Sequence, residues 1–219
     1  MASMRLASDL SAKMISIAFV RRMVKVAIVD YGMGNIGSVY NAVKHLGAKP
    51  IVVTAPSKLN AEKIIIPGVG AFGDGIKNLS PFIPKIREAL ASDTPLLGIC
   101  LGSQMLFESS DESPKTKGLS AIMGKITKIP TRLKLPHIGW NSLEIKRKAC
   151  PLFRGIQDGY VYFVHSYHAL PKEDVIAATT RYGCTVTASV WKRNIFGTQF
   201  HPEKSGTAGL RMLRNFLEL

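Results

Sequence analysis

Cysteine is scarce. Cys100, Cys150 and Cys184 are the only three in 219 residues, too few and too far apart for a disulfide framework or a cysteine-ligated zinc site. An odd count in a chain of this length points to a reducing compartment, where a special cysteine acts as a nucleophile. Long apolar runs are missing as well. The Met14–Val20 stretch is far shorter than the ~20 residues needed to span a bilayer, and no small-residue cleavage site follows it. No internal repeat, low-complexity linker or Gly-Lys-Ser/Thr phosphate loop is present. Acidic residues are few, with 15 Asp+Glu against 29 Lys+Arg, a formal charge of +14. Such a balance raises nucleic acid, an anionic membrane or a phosphorylated ligand as partners. No helix-turn-helix, ribonucleoprotein or zinc signature supports a nucleic-acid module.

What is present is globular. Hydrophobic residues make up 46% and charged residues 20%, which excludes a disordered or coiled-coil chain. Residues 1–22 read as an extension outside the fold, and 23–219 as one domain. Without the extension the charge is still strongly positive. Short apolar runs alternate with helical patterns in the first half: strands at Val24–Val29, Ile51–Val53, Ile64–Ile66 and Leu96–Ile99. Helices are expected after Asn35, which can cap the first, around Pro84–Leu90, and from Leu101 to about Glu108. From Gly124 the pattern is strand and turn: Lys125–Ile129, Trp140–Ile145, Tyr160–Val164, Val175–Thr180, Thr185–Trp191 and Ile195–Phe200. A last helix runs Ala208–Leu217. This predicts an α/β fold, an open mixed, mainly parallel sheet flanked by helices.

Gly-x-Gly-x-x-Gly occurs twice, at Gly32–Gly37 and Gly68–Gly73. The acidic residue that a dinucleotide site needs at the end of the second strand is absent, since Val52-Val53-Thr54-Ala55 stands there, so tight strand-to-helix turns are the reading. Gly98-Ile99-Cys100-Leu101-Gly102 is sharper. Glycines two before and two after the central residue permit the strained strand-to-helix elbow that lifts a nucleophile above the carboxyl edge of a sheet. There the helix N-terminus favours a thiolate, and the Leu101 N–H can face an oxyanion. Cys150 and Cys184 have no such context. A thiol needs a base and an orienter. In extended backbone His201 and Glu203 project to the same side, so the carboxylate can hold the ring while its other nitrogen faces Cys100. His165 and His168 are rivals for the base. A second oxyanion donor can come from the Pro67–Gly73 loop, at the same sheet edge.

These motifs, with Gln104 beyond the elbow and His201-Pro202-Glu203 near the C-terminus, resemble the class I (triad) glutamine amidotransferases. Asp30–Asn35, Pro67–Phe72, Leu135–Asn141, Tyr162–Tyr167 and Gln199–Ser205 together resemble one subfamily, the glutaminase subunit of imidazole glycerol phosphate synthase in histidine biosynthesis. Sister glutaminases usually carry Pro-Gly-Gly where this chain has Pro-Gly-Val-Gly. The likeness runs from Met23 to the C-terminus.

The resemblance implies a flavodoxin-like fold and a catalytic Cys100, His201, Glu203 triad that hydrolyses L-glutamine through a thioester. It puts oxyanion donors at Leu101 and the Val69–Gly70 turn, and substrate contacts at Gly70, Gln104, Ser166 and Tyr167. His165 then neighbours the substrate. No metal or organic cofactor is needed. The family implies a cytoplasmic heterodimer with a (β/α)8-barrel cyclase that consumes the ammonia. Asn35, Trp140 and Lys204 are candidates for the docking face, a core aromatic being the competing reading for Trp140. Between Lys115 and Lys148 nine basic residues accompany one acid, Glu144, which suggests an acidic partner face. Another α/β cysteine hydrolase, or a different class I amidotransferase subunit, is the alternative.

Overall fold

A computed structural model describes residues 23–157 and 159–219; the extension 1–22 lies outside the described residues. The main elements are β1 (Lys25–Val29), α1 (Ile36–His45), β2 (Lys49–Val53), β3 (Lys63–Ile66), α2 (Phe72–Leu79), α3 (Ile83–Ala91), β4 (Leu96–Ile99) and α4 (Leu101–Gln104). There follow β5 (Ser109–Ser110), β6 (Gly124–Lys128), β7 (His137–Ser142), β8 (Glu144–Ile145), β9 (Tyr160–His165), β10 (Tyr167–Pro171), β11 (Ile176–Arg181), β12 (Thr185–Lys192), β13 (Ile195–Thr198) and α5 (Gly206–Leu217).

Eight strands form one sheet in the order β2-β1-β3-β4-β13-β12-β11-β8. The first five are mutually parallel, and β12, β11 and β8 continue it antiparallel. Both faces of the inner parallel strands are covered, so β3, β4 and β13 are buried along their whole length instead of alternating, while β2 at the edge is partly exposed. Val26, Ile28, Ile65 and Leu97 pack with Val39, Val43, Leu213 and Phe216 of α1 and α5. Ala27, Val29, Ile64 and Ile66 pack on the other face with Phe72, Leu79 and Ile86. A three-stranded sheet, β10-β6-β5, and the ribbon β7-β9 complete the described fold. Among the described residues no helix is long and apolar enough to cross a membrane.

Three expectations change. The helix foreseen from Leu101 to Glu108 ends at Gln104: Leu106 and Phe107 donate to Ser103 and Gln104, three residues back, and the Glu108 N–H turns to the Gly124 carbonyl. The strand foreseen at Trp140–Ile145 starts at His137 and divides at Leu143, whose N–H donates to Gly159; β7 pairs with β9, and β8 with β11. The last strand ends at Thr198, short of Phe200. Helix α2 and strands β5 and β10 are elements the periodicity did not disclose. The two glycine-rich loops lie against each other, with the Val69 N–H donated to the Met33 carbonyl at 3.0 Å.

Candidate active site

The parallel strands deliver their carboxyl ends to one edge of the sheet, so the segments after β1, β3, β4 and β13 meet there. Cys100 follows β4 with φ +54° and ψ −110°, a conformation few non-glycine residues adopt. Such strain at a single residue marks functional positions. Its N–H donates to the Thr198 carbonyl at 2.7 Å, which ties the elbow to β13. The elbow depends on its glycines. A Cβ at Gly98 would lie 2.6 Å from the Gly102 carbonyl oxygen, and one at Gly102 would lie 1.8 Å from that of Ile66. Helix α4 is a single turn, so it aligns few peptide dipoles toward the sulfur.

The base comes from the segment after β13. The His201 N–H donates to the Tyr162 carbonyl, and the Ser205 hydroxyl donates to the His201 carbonyl. The ring Nδ1 lies 2.8 Å from Glu203 Oε1, with both side chains at most 2% exposed. Glu203 reaches the ring from a 3₁₀ turn, Pro202–Lys204, and not from the extended backbone foreseen in the sequence. Pro202 starts that turn, which still brings the two side chains to one side. His201 Nε2 and Glu203 Oε2 are buried without a hydrogen-bond partner. Burial is the largest single influence on the imidazole and acts to lower its pKa. Cys100 and Glu203 together outweigh it, raising the pKa to about 9. The imidazole thus holds its proton at neutral pH, beside the Cys100 sulfur and with Glu203 behind it.

The rival histidines are committed elsewhere. His165 Nδ1 donates to the Tyr167 carbonyl, and its Nε2 lies 3.2 Å from His137 Nδ1. Burial is the main cause that lowers the His165 pKa to about 3. His168 Nδ1 accepts the Thr187 N–H, and burial lowers its pKa as well. Cys150 is buried, and burial pushes its thiol up to about 11.

A pocket of about 330 Å³ opens above Cys100, lined by Val69, Gly70, Leu101, Gln104, Ser166 and Tyr167 among others. The structure thus gathers all four expected substrate contacts. It adds Glu112, an acid no motif marked: it lines the same pocket, and its carboxylate accepts the Phe72 N–H at 2.7 Å. Glu112 stands 12 residues past the nucleophile in a loop without periodic signal, so only the fold could place it. The oxyanion donors require a correction. The Gly68–Val69 peptide points its carbonyl at the elbow, where it accepts the Leu101 N–H at 3.3 Å, while the Val69 N–H goes to Met33. In this conformation the Leu101 and Val69 N–H groups are both engaged, while Gly70, the third candidate, lines the pocket.

The profile of the family described as "Glutamine amidotransferase class-I" matches residues 27–219. The chain belongs to the class I glutamine amidotransferases. Among its relatives, "Imidazole glycerol phosphate synthase subunit HisH" of Methanosarcina acetivorans is 48% identical over 202 residues, which cover 90% of this chain and 100% of that one. The protein of the same name from Geobacter sulfurreducens is 46% identical over 209 residues, with the same coverage. This amidotransferase therefore falls in the HisH family. The fold agrees: "PurLQS from Thermotoga maritima" superposes with TM-score 0.72 at 20% identity, over 90% of this chain and 98% of that one.

On this amidotransferase the three docking candidates lie at the same edge as the elbow. Asn35 caps α1, its Oδ1 accepting the Ser38 N–H. Trp140 is 54% exposed, which overturns the core reading; its ring edge meets Tyr162 at 6.2 Å between centroids. Lys204 Nζ stands 6.0 Å above the Tyr162 ring. Trp140 and Ile138 share one face of β7, both exposed. Part of the basic stretch is already neutralised on its own surface, by Lys125–Asp111 and Lys146–Glu144 pairs.

Proposed function

We propose that residues 23–219 form the glutaminase domain of an imidazole glycerol phosphate synthase of histidine biosynthesis, a cytoplasmic enzyme, with Cys100 as nucleophile, His201 as acid and base, and Glu203 as orienter. The observation that carries this reading is the buried His201–Glu203 pair beside a strained Cys100 at the floor of a pocket. The thiolate attacks the side-chain amide carbon of L-glutamine, and the C–N bond breaks as His201 gives its proton to the departing ammonia. His201 then takes a proton from water, which attacks the thioester and releases glutamate. Gly70, Gln104, Ser166 and Tyr167 are the substrate's neighbours, and Glu112 supplies the negative charge that suits an α-ammonium group.

The closed oxyanion site ties this chemistry to a partner. Rotation of the Gly68–Val69 peptide would release the Leu101 N–H and turn the Val69 N–H toward the same point, a pair of donors in place of an obstructing carbonyl. Met33, which now holds the Val69 N–H, is two residues from Asn35 at the docking face. A partner seated on Asn35, Trp140 and Lys204 thus has a short route to the peptide that must turn. The partner of this reading is a (β/α)8-barrel cyclase, which takes up ammonia to convert a phosphorylated ribulosyl nucleotide. In steady-state assays ammonia release should be slow for the chain alone and rise by about 10²-fold or more with the cyclase and its ligand, the range associated with an oxyanion donor. Trp140→Ala should weaken that activation, and rising ionic strength should slow assembly. Release indifferent to any partner, alongside rapid ester turnover, would favour a solitary cysteine hydrolase.

Glu112→Gln provides a second check. Loss of its charge should raise the KM for glutamine about tenfold or more with little change in kcat, because the α-ammonium is bound alike in ground and transition states. An unchanged KM would remove Glu112 from the substrate site.

A further inference from the structure

Gln199 lies between β13 and His201, and neither the triad nor the substrate pocket gives it a part. Its side chain is buried, as is that of Gln104. The orientation of both amides follows from one backbone group. The Tyr167 carbonyl can only accept, so Gln104 presents its nitrogen there, at 3.1 Å. The same nitrogen lies 2.9 Å from Gln199, which must answer with its oxygen. The Gln199 nitrogen is thereby turned to the Cys100 sulfur, at 3.7 Å.

We infer that Gln199 is a further catalytic residue: its Nε2–H donates to the Cys100 sulfur and stabilises the thiolate, held in that orientation by Gln104 and the Tyr167 carbonyl. The inference rests on the reading of Cys100 as nucleophile. Cys100 is buried, so its thiolate lacks most of the water that would otherwise solvate it. His201 and Glu203 face it from the turn after β13. Tyr31 approaches from the loop after β1, but its hydroxyl is already donated to the Pro67 carbonyl at 2.8 Å. Glu112, across the pocket, contributes only negative charge. Gln199 is thus the uncharged side-chain donor that reaches the sulfur among the described residues. A thioester sulfur is a poor acceptor, so the bond strengthens whenever the sulfur is a thiolate, before attack and again as it leaves in the hydrolysis of the acyl-enzyme. Gln104 also ties this donor to Tyr167 at the start of β10, next to Ser166, so the pocket and the nucleophile share one hydrogen-bonded chain.

The test is alkylation of Cys100 by iodoacetamide in the full chain, read by peptide mass spectrometry from about pH 5 to about pH 10, for the wild type, Gln199→Met and Gln199→Glu. Methionine keeps the length and removes the donor. The inflection should move up by about one unit, with alkylation roughly tenfold slower at neutral pH. Glutamate keeps the shape and adds charge, and should move the inflection at least as far. With the cyclase present, kcat should fall by a similar factor while the KM for glutamine stays within about twofold. Wild-type inflections in folded variants, as judged by circular dichroism, would overturn the inference, even alongside a lower kcat. If the methionine variant does not fold, the isosteric glutamate variant decides by the same criterion. Alkylation needs no substrate, so a wild type that released no ammonia would count against the glutaminase reading and leave this result readable.

Discussion

Cys100→Ala should abolish ammonia release, by about 10⁴-fold or more, while leaving far-UV circular dichroism unchanged. Loss of the nucleophile of a triad leaves only the binding and electrostatic contributions of the remaining site. The same variant should change the neighbouring base. His201 carries its proton up to about pH 9 because Cys100 and Glu203 outweigh burial. With the sulfur gone, burial faces Glu203 alone, and the His201 pKa should fall, as followed by NMR of the imidazole protons. In the wild type the sign is fixed by the raised pKa. The stabilising interaction of the imidazolium is complete below the unfolded value near 6.5 and is lost as pH rises through about 9. Turnover should decline over the same upper range, since neutral His201 has no proton for the leaving ammonia. A Cys100→Ala protein that retained partner-dependent ammonia release would remove the thiol from the mechanism.

Much of this site is legible in the chain because its parts obey local rules. Gly98 and Gly102 mark the elbow by spacing alone, since the backbone crossing there excludes a Cβ on either side. The apolar runs of β1, β3, β4 and β13 announce strands buried on both faces, and parallel topology then brings Cys100 and His201 to the same edge. The parts that escaped are those set by long-range geometry. Which way the Gly68–Val69 peptide points depends on Met33 and Leu101, from two other loops. Glu112 enters the pocket from an irregular loop. The Gln104–Gln199 pair joins α4 to the end of β13, 95 residues apart in sequence. Spacing alone leaves His165 open beside His201, and the resemblance favours His201; the structure adds that His165 donates to Tyr167 and faces His137 while His201 Nε2 is buried and unpaired.

Those long-range features share a design. On the proposed reading the Cys100 sulfur is served by groups at the sheet's own edge, His201 with Glu203 behind it and Gln199 with Gln104 behind it, all with buried side chains. Two of the three proposed oxyanion donors, Leu101 and Val69, are engaged because of the way one peptide, Gly68–Val69, points. Of those two donors, Leu101 follows Cys100 in the elbow itself, and Val69 lies in the loop after β3. The first is fixed by the crossing of α4 over β3, and the second depends on which way a loop peptide points.

Gly102→Ala tests how far the elbow is fixed by packing. The new Cβ would lie 1.8 Å from the Ile66 carbonyl oxygen, well inside van der Waals contact and against backbone that belongs to the central strand β3. Neither side can yield cheaply: β3 is paired with β1 and β4, and α4 must hold Leu101 and Gln104 in the pocket wall. The expected cost is at least ~3 kcal/mol, a fall in Tm of about 6 °C or more for a domain of this size. Even the folded fraction should lose most ammonia release, because any shift that relieves the overlap moves Cys100 away from His201. Gly37→Ala is the matched control. That glycine lies within α1 with nothing inside 4 Å of its missing Cβ, so alanine should leave activity unchanged and raise stability by ~0.5 kcal/mol through its better helix propensity. Equal stability of the two variants in thermal melts would mean that the crossing of α4 over β3 is looser than the elbow requires, and that the position of Cys100 is maintained by something other than these glycines.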